Sequence, residues 1–186
     1  MPNWCSNSLT LKHDDPAMIT KAAEALKKGN FFDTFIPCPT QLKEAVASSG
    51  EEYKEQNEKN VAETGYASWY DFCVNEWGTK WDVESYNEPD IWPDGKTLQT
   101  SFDSAWSPPI EGFRKLDELG FTVEALYYEP GMGFCGDYTT AGDESFYDYS
   151  SLNADEAEAE IPEHINEMFN ISGYMRDFEE ENAEDE

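Results

Sequence analysis

Positive charge is scarce in this chain of 186 residues, where 12 Lys and Arg stand against 40 Asp and Glu for a formal net charge of −28. Proteins that grip nucleic-acid backbones do so largely through cations that displace counterions, so no direct nucleic-acid partner is expected. Histidine is scarcer still: His13 and His164 are the only two, which excludes a His-rich metal site. Cys5, Cys38, Cys73 and Cys135 lie far apart with no C-x-x-C pair, so neither a disulfide framework nor a spaced zinc site is signalled. Reduced, mostly buried thiols are the simplest expectation. No apolar run approaches the length of a membrane span. The opening Met1-Pro2-Asn3-Trp4 shows no basic leader or apolar signal segment, so a cytoplasmic protein with no membrane partner is expected.

Aliphatic residues are also few. Leu, Ile, Val and Phe make up about 17% of the chain, which with this charge falls in the range of disordered sequences. Aromatics reverse that reading: Trp, Tyr and Phe reach 15%, and each ring buries a large area, so a core can be built from them. A folded, aromatic-rich domain with a strongly solvated acidic surface is expected.

Trp4 to His13 alternates, with Cys5, Asn7, Leu9 and Leu11 on one face and Ser6, Ser8, Thr10 and Lys12 on the other, which predicts a half-buried strand. Asp14-Asp15-Pro16 supplies a cap and a first-turn proline for a helix through Met18, Ile19, Ala22, Ala25 and Leu26, stopped by Gly29. Residues 30 to 79 break the alternation and predict a helical insertion, with capping boxes at Ser49/Glu52 and Ser68/Asp71. Strands are expected over Lys80 to Tyr86 and Lys96 to Asp103. A helix opened by Ser107-Pro108-Pro109 follows, and then a strand from Phe121 to Tyr128. Without the insertion the order is β-α-β-β-α-β, the ferredoxin-like or split βαβ motif, a four-stranded antiparallel sheet with two helices on one face. The expected architecture is thus α+β: a ferredoxin-like domain over residues 1–140, with its insertion at about 30–79, and an acidic, partly helical extension over 141–186. Residues 120–186 hold 19 acids and one base, so −18 of the −28 lies there.

Five blocks carry a resemblance: Met1-Pro2-Asn3-Trp4-Cys5-Ser6-Asn7, Phe35-Ile36-Pro37-Cys38-Pro39, Trp77-Gly78-Thr79-Lys80-Trp81-Asp82, Ala105-Trp106-Ser107-Pro108-Pro109 and Glu129-Pro130-Gly131. In this order they resemble the YubB-type family of plasmid and phage proteins. The resemblance implies a ferredoxin-like domain and a mobile-element origin, hence the cytoplasm of a host cell. It implies no activity, and it does not cover the acidic end.

Chemical motifs are weak. Gly131-Met132-Gly133-Phe134-Cys135-Gly136 matches G-x-G-x-x-G, but Asp137-Tyr138-Thr139-Thr140-Ala141-Gly142 is a poor helix, and the dinucleotide fingerprint needs a helix opening there. A tight turn is expected. Gly95-Lys96-Thr97 ends like a P-loop but has Asp90 where that motif needs glycine, and is read as a hairpin turn. Cys38 sits between two prolines, and a nucleophilic role would need a base or cation beside it. Nothing in the sequence places His13 or His164 there. No enzymatic activity and no cofactor or metal are expected. The sheet face opposite the apolar one should show Ser6, Ser8, Thr10, Lys12, Asp82, Glu84, Gln99, Ser101, Asp103, Thr122 and Glu124, a set that would repel a phosphate chain.

The acidity has two readings. Carboxylates favour solubility on their own. Held in a fixed array, they can imitate a nucleic acid, since duplex DNA carries about one charge per 1.7 Å and residues three or four apart on a helix stand about 5–6 Å apart. Such a density costs stability through self-repulsion, and mobile elements gain by blocking host defence enzymes. The expected function is a protein-binding antagonist directed at a basic, nucleic-acid-binding host protein. Its partner-binding residues are Asp155, Glu156, Glu158, Glu160, Glu163, Asp177, Glu180 and Glu181. The alternative is a ferredoxin-like ligand-binding or oligomerisation module using Trp81, Trp92 and Trp106 around a pocket or dimer seam.

Overall fold

A computed structural model describes residues 3–48, 50–140 and 143–184. Met1 and Pro2 of the first resemblance block, Ser49 of the expected first capping box, and Ala141 and Gly142 lie outside the described residues.

The chain opens with β1 (Trp4–Lys12) and α1 (Pro16–Lys27). Asp15 caps α1 by accepting the Ala17 N–H at 2.9 Å, and Pro16 opens it, as the sequence predicts. The insertion follows as α2 (Phe31–Phe35), α3 (Thr40–Lys43), a 3-10 turn (Glu51–Tyr53), α4 (Lys54–Thr64) and α5 (Trp69–Glu76). Ser68 caps α5 by accepting from the Asp71 N–H. Next come β2 (Asp90–Ile91), β3 (Thr97–Ala105), α6 (Ile110–Glu118), β4 (Thr122–Glu129), β5 (Phe134–Thr139) and β6 (Glu144–Asp148). The chain then continues into α7 (Ala154–Glu160), α8 (Glu163–Phe169) and α9 (Ile171–Glu184).

The protein is α+β. Its six-stranded antiparallel sheet has the order β2-β3-β1-β4-β5-β6, and the first four strands keep the ferredoxin-like arrangement. Two expectations change. The strand expected over Lys80 to Tyr86 is irregular: Asp82 turns its carboxylate to the N–H groups of Phe32, Asp33 and Val83, each at 2.8 Å. That segment is therefore tied to α2, and only Tyr86 reaches the sheet, donating its N–H to the Ser101 carbonyl at 3.0 Å. The second strand is instead the two-residue β2. The sheet also gains β5 and β6, so the expected boundary at 140/141 falls within the β5–β6 hairpin.

The β1 alternation is as expected: Cys5, Asn7, Leu9 and Leu11 are buried. Leu9 and Leu11, with Leu98, Phe102, Val123 and Ala125, meet Ile19, Leu26, Phe113 and Leu116 from α1 and α6, and Phe31, Phe32, Phe72 and Trp77 from the insertion. This ring-rich core lies on one sheet face. Gly112 is needed there because a Cβ on it would run into the Phe32 ring.

The opposite face is only partly open. Leu126 and Tyr128 stand opposite Ser8 and Ser6 in register, so they share the polar face. There they and Tyr147 pack with Cys135, Tyr149, Ala157, Ile161, Ile165 and Ile171 in a second, smaller core. The extension thus covers the β4–β5–β6 half of that face with three helices. Pro162 separates α7 from α8 within the extension.

Candidate functional site

The expected partner-binding residues are brought together on the extension. Asp155, Glu156, Glu158 and Glu160 lie on α7, Glu163 opens α8, and Asp177, Glu180 and Glu181 lie on α9, all of them exposed. The helices are locally specified. Asn153 and Glu156 form a reciprocal capping box at α7, with both hydrogen bonds at 3.0 Å. Glu179 accepts the Ala154 N–H at 2.8 Å and ties α9 to the start of α7.

The carboxylates are not equivalent. Arg176 bridges Asp155 at 3.1 Å and Glu158 at 2.7 Å, and Glu156 is engaged in its cap. Among the described residues, Glu160, Glu163, Asp177, Glu180 and Glu181 make no ion pair. Between them stand two aromatics that the charge pattern concealed. Tyr174 and Phe178, one turn apart on α9, are 60% and 67% exposed. The signal was present as an i, i+4 aromatic pair in a run of acids. Phe178 also borders a cleft of about 430 Å³ with Met132, Tyr149, Leu152 and Met175.

The remaining candidates separate. Cys38 lines a cavity of about 370 Å³ with Cys73, Lys43 and Lys80. Burial pushes its thiol above the usual range against the opposing pull of Lys43, and burial raises Cys73 to about 12. Both effects oppose a thiolate at neutral pH. Neither histidine lines this cavity: His13 packs on Phe121 with ring centroids 4.8 Å apart, and His164 faces Asp137 at 3.3 Å. The three tryptophans of the alternative module do not surround one pocket. Trp92 bonds Thr97 at one end of β3, whereas Trp106 follows Ala105 at the other, about 25 Å away along a nine-residue strand.

The glycines of the G-x-G-x-x-G match have structural duties. Gly133 takes φ +73° against the Ser150 backbone, and a Cβ on Gly136 would collide with the Tyr127 hydroxyl and the Ser145 carbonyl. Tyr127 donates to that carbonyl at 2.8 Å. No helix opens there, because the segment continues into β5. Among the described residues no group of His, Cys, Asp and Glu is arranged to hold a metal ion, and no helix is long and apolar enough to cross a membrane.

The resemblance blocks converge at the Trp4/Ala105 end of the sheet. Trp106 donates its N–H to Asn3 at 2.9 Å, and Ala105 donates to the Thr79 hydroxyl at 3.0 Å. Ser107 donates to the Gly78 carbonyl at 2.8 Å, Trp77 donates its indole N–H to Ile36 at 3.0 Å, and the Trp4 and Trp81 rings lie 6.0 Å apart.

No family model matches this chain, and no curated protein matches it. Among solved structures, the crystal structure of protein api92 from Yersinia pseudotuberculosis, described under the family model DUF1281, is similar to it. The identity is 12%, the match covers 79% of this chain and 98% of that one, and the TM-score is 0.42.

Proposed function

We propose that this protein is an acidic antagonist that docks its α7/α9 surface on a basic, nucleic-acid-binding host protein and sets carboxylates where phosphates would lie. The observation that carries this reading is the folded state of the extension: unpaired carboxylates and exposed Tyr174 and Phe178 share helices fastened to the sheet by a core of their own. A surface meant only for solubility has no use for two half-stripped rings among the charges. Exposed aromatics ringed by polar groups are a usual composition for the centre of a protein-binding patch. The YubB-type resemblance supports the same reading, because plasmids and phages gain from silencing restriction, nuclease or CRISPR-type enzymes.

The test is retention of purified host nucleic-acid-binding proteins on the immobilised chain at about 50 and 500 mM salt. Retention should be strong at low salt and lost at high salt. It should also disappear when Asp155, Glu156, Glu158, Glu160 and Glu163 are changed to Asn or Gln. Absent binding at low salt, or binding that survives those changes, would refute the proposal.

A further inference from the structure

The cleft of about 430 Å³ that Phe178 borders is lined by the turn between β4 and β5, by the segment after β6 and by α9. Its apolar members differ in burial. Tyr149, Leu152 and Met175 belong to the second core, whereas Met132 and Phe178 are 60% and 67% exposed. An apolar surface therefore runs from that core out to solvent, and the extension leaves it uncovered. Two methionines, a leucine and two rings make a lining that adapts to side chains of varied shape, because the thioether chain is flexible and polarisable.

The exposure of Met132 is not slack in a loop. Buried Glu129 accepts the Gly131 N–H at 2.9 Å and the Met132 N–H at 2.6 Å. Gly133 closes the turn at φ +73°, so near the next wall that a Cβ on it would stand 2.7 Å from the Ser150 Cα. Burying a carboxylate is costly unless hydrogen bonds compensate, and here the compensating bonds are those that fix the turn. A large apolar side chain is thus presented from a rigid tip, which spares a partner the entropy of ordering it.

The surroundings carry one sign of charge. Glu179 lines the cleft, and no Lys, Arg or His does. Asp148 is joined to its wall through Ser150, whose N–H it accepts at 3.0 Å, and Asp177, Glu180 and Glu181 stand beside Phe178 and Glu179 on α9. Arg176, the base of that helix, is turned to Asp155 and Glu158. A second copy docked through this same surface would bring the same acids with it and be repelled. An apolar groove with an acidic border fits instead a helix with one apolar face and cations beside it, laid into the groove by that face.

We infer that the Met132–Met175–Phe178 cleft seats a basic amphipathic helix of the partner protein, with bulky aliphatic or aromatic side chains in the cleft and Lys or Arg on the acids around it. The inference rests on the antagonist reading for the sign of the partner's charge, and deepens it: charge draws the partner in, and the cleft decides which basic segments stay.

The test is methionine-methyl NMR of the full chain with two synthetic peptides of about five helical turns, one of Lys and Leu at amphipathic spacing and one of equal charge with Ser in place of Leu. At about 50 mM salt the Lys/Leu peptide should bind about tenfold more tightly than the Lys/Ser peptide. It should move the Met132 and Met175 signals and leave those of Met18 and Met168 in place. Met132→Ser combined with Phe178→Ser, both at exposed positions, should bring its affinity down to that of the Lys/Ser peptide. Equal, salt-sensitive binding of the two peptides would overturn the cleft assignment while the charge-based antagonist reading stands, and no binding of either would count against both. Tight binding that leaves Met132 and Met175 unmoved would overturn the assignment. So would movement of those two signals when the chain alone is concentrated, which would give the cleft to a second copy.

Discussion

The two faces of the sheet divide the work of the molecule. On one face α1, α6 and the insertion bury a large ring-rich core, and several of their charges are paired: Lys27 with Glu24 and Glu88, Lys115 with Glu76 at 2.5 Å, and Arg114 with Glu111 at 2.6 Å. On the other, α7, α8 and α9 attach through a smaller core of Ile, Ala and Tyr, and Arg176 alone offsets their acids. Crowded like charges destabilise a compact state. Placing them on the face that contributes less to the main core lets the surface stay strongly anionic while the fold is held elsewhere. The difference teaches that stability and display are separable here, and four substitutions can break or sharpen that contrast.

The largest effect is expected in the main core. Phe102→Ala empties a fully buried site on β3 and should cost about 3–5 kcal/mol of global stability, read as a lower urea midpoint. Ile165→Ala, also fully buried but in the second core, should instead raise hydrogen exchange in α7 to α9 while β1 and β3 amides stay protected. If both variants release the whole molecule together, the two faces form one cooperative unit and the contrast fails.

A smaller change probes only the display side. Asn153→Ala removes the α7 capping box and should cost about 1 kcal/mol. The loss should appear as faster exchange at the α7 N-terminus, with the β1–β3 ladder unaffected.

The smallest effect concerns the side with the larger core. Burial pushes the Glu76 carboxyl up, but hydrogen bonds from Lys115 and Tyr66 outweigh it and hold the group below its ordinary value of 4.5. A carboxyl lowered in the folded state adds stability that is present above its unfolded value and is lost as pH falls through the folded one. Urea midpoints measured at about pH 6 and 3.5 should fall less steeply for Glu76→Gln than for the parent. An unchanged slope would show that the pair adds nothing to acid stability.

Much of this architecture was legible in residue order. β1, α1, α6 and β4 follow their alternation, their caps and Gly29 to within a residue or two. What escaped was set by distant partners. Asp82 reads as an outward strand residue, yet three backbone N–H groups 49 to 50 residues earlier and one residue later claim its carboxylate and pull the segment from the sheet. β5 is disguised by Gly136, which is required by the Tyr127 ring across the ladder and not by a ligand. The acidic residues of the candidate surface were plain from composition, and their gathering on ordered helices followed from the capping box and the isoleucines.

The borders of the sheet have one more consequence. β2, at one rim, is two residues long, and β6, at the other, carries Glu144 and Asp148. Neither offers the long, uncharged template onto which a strand from a neighbouring copy would zip. The molecule can therefore reach high concentration without seeding fibrils from its own edges.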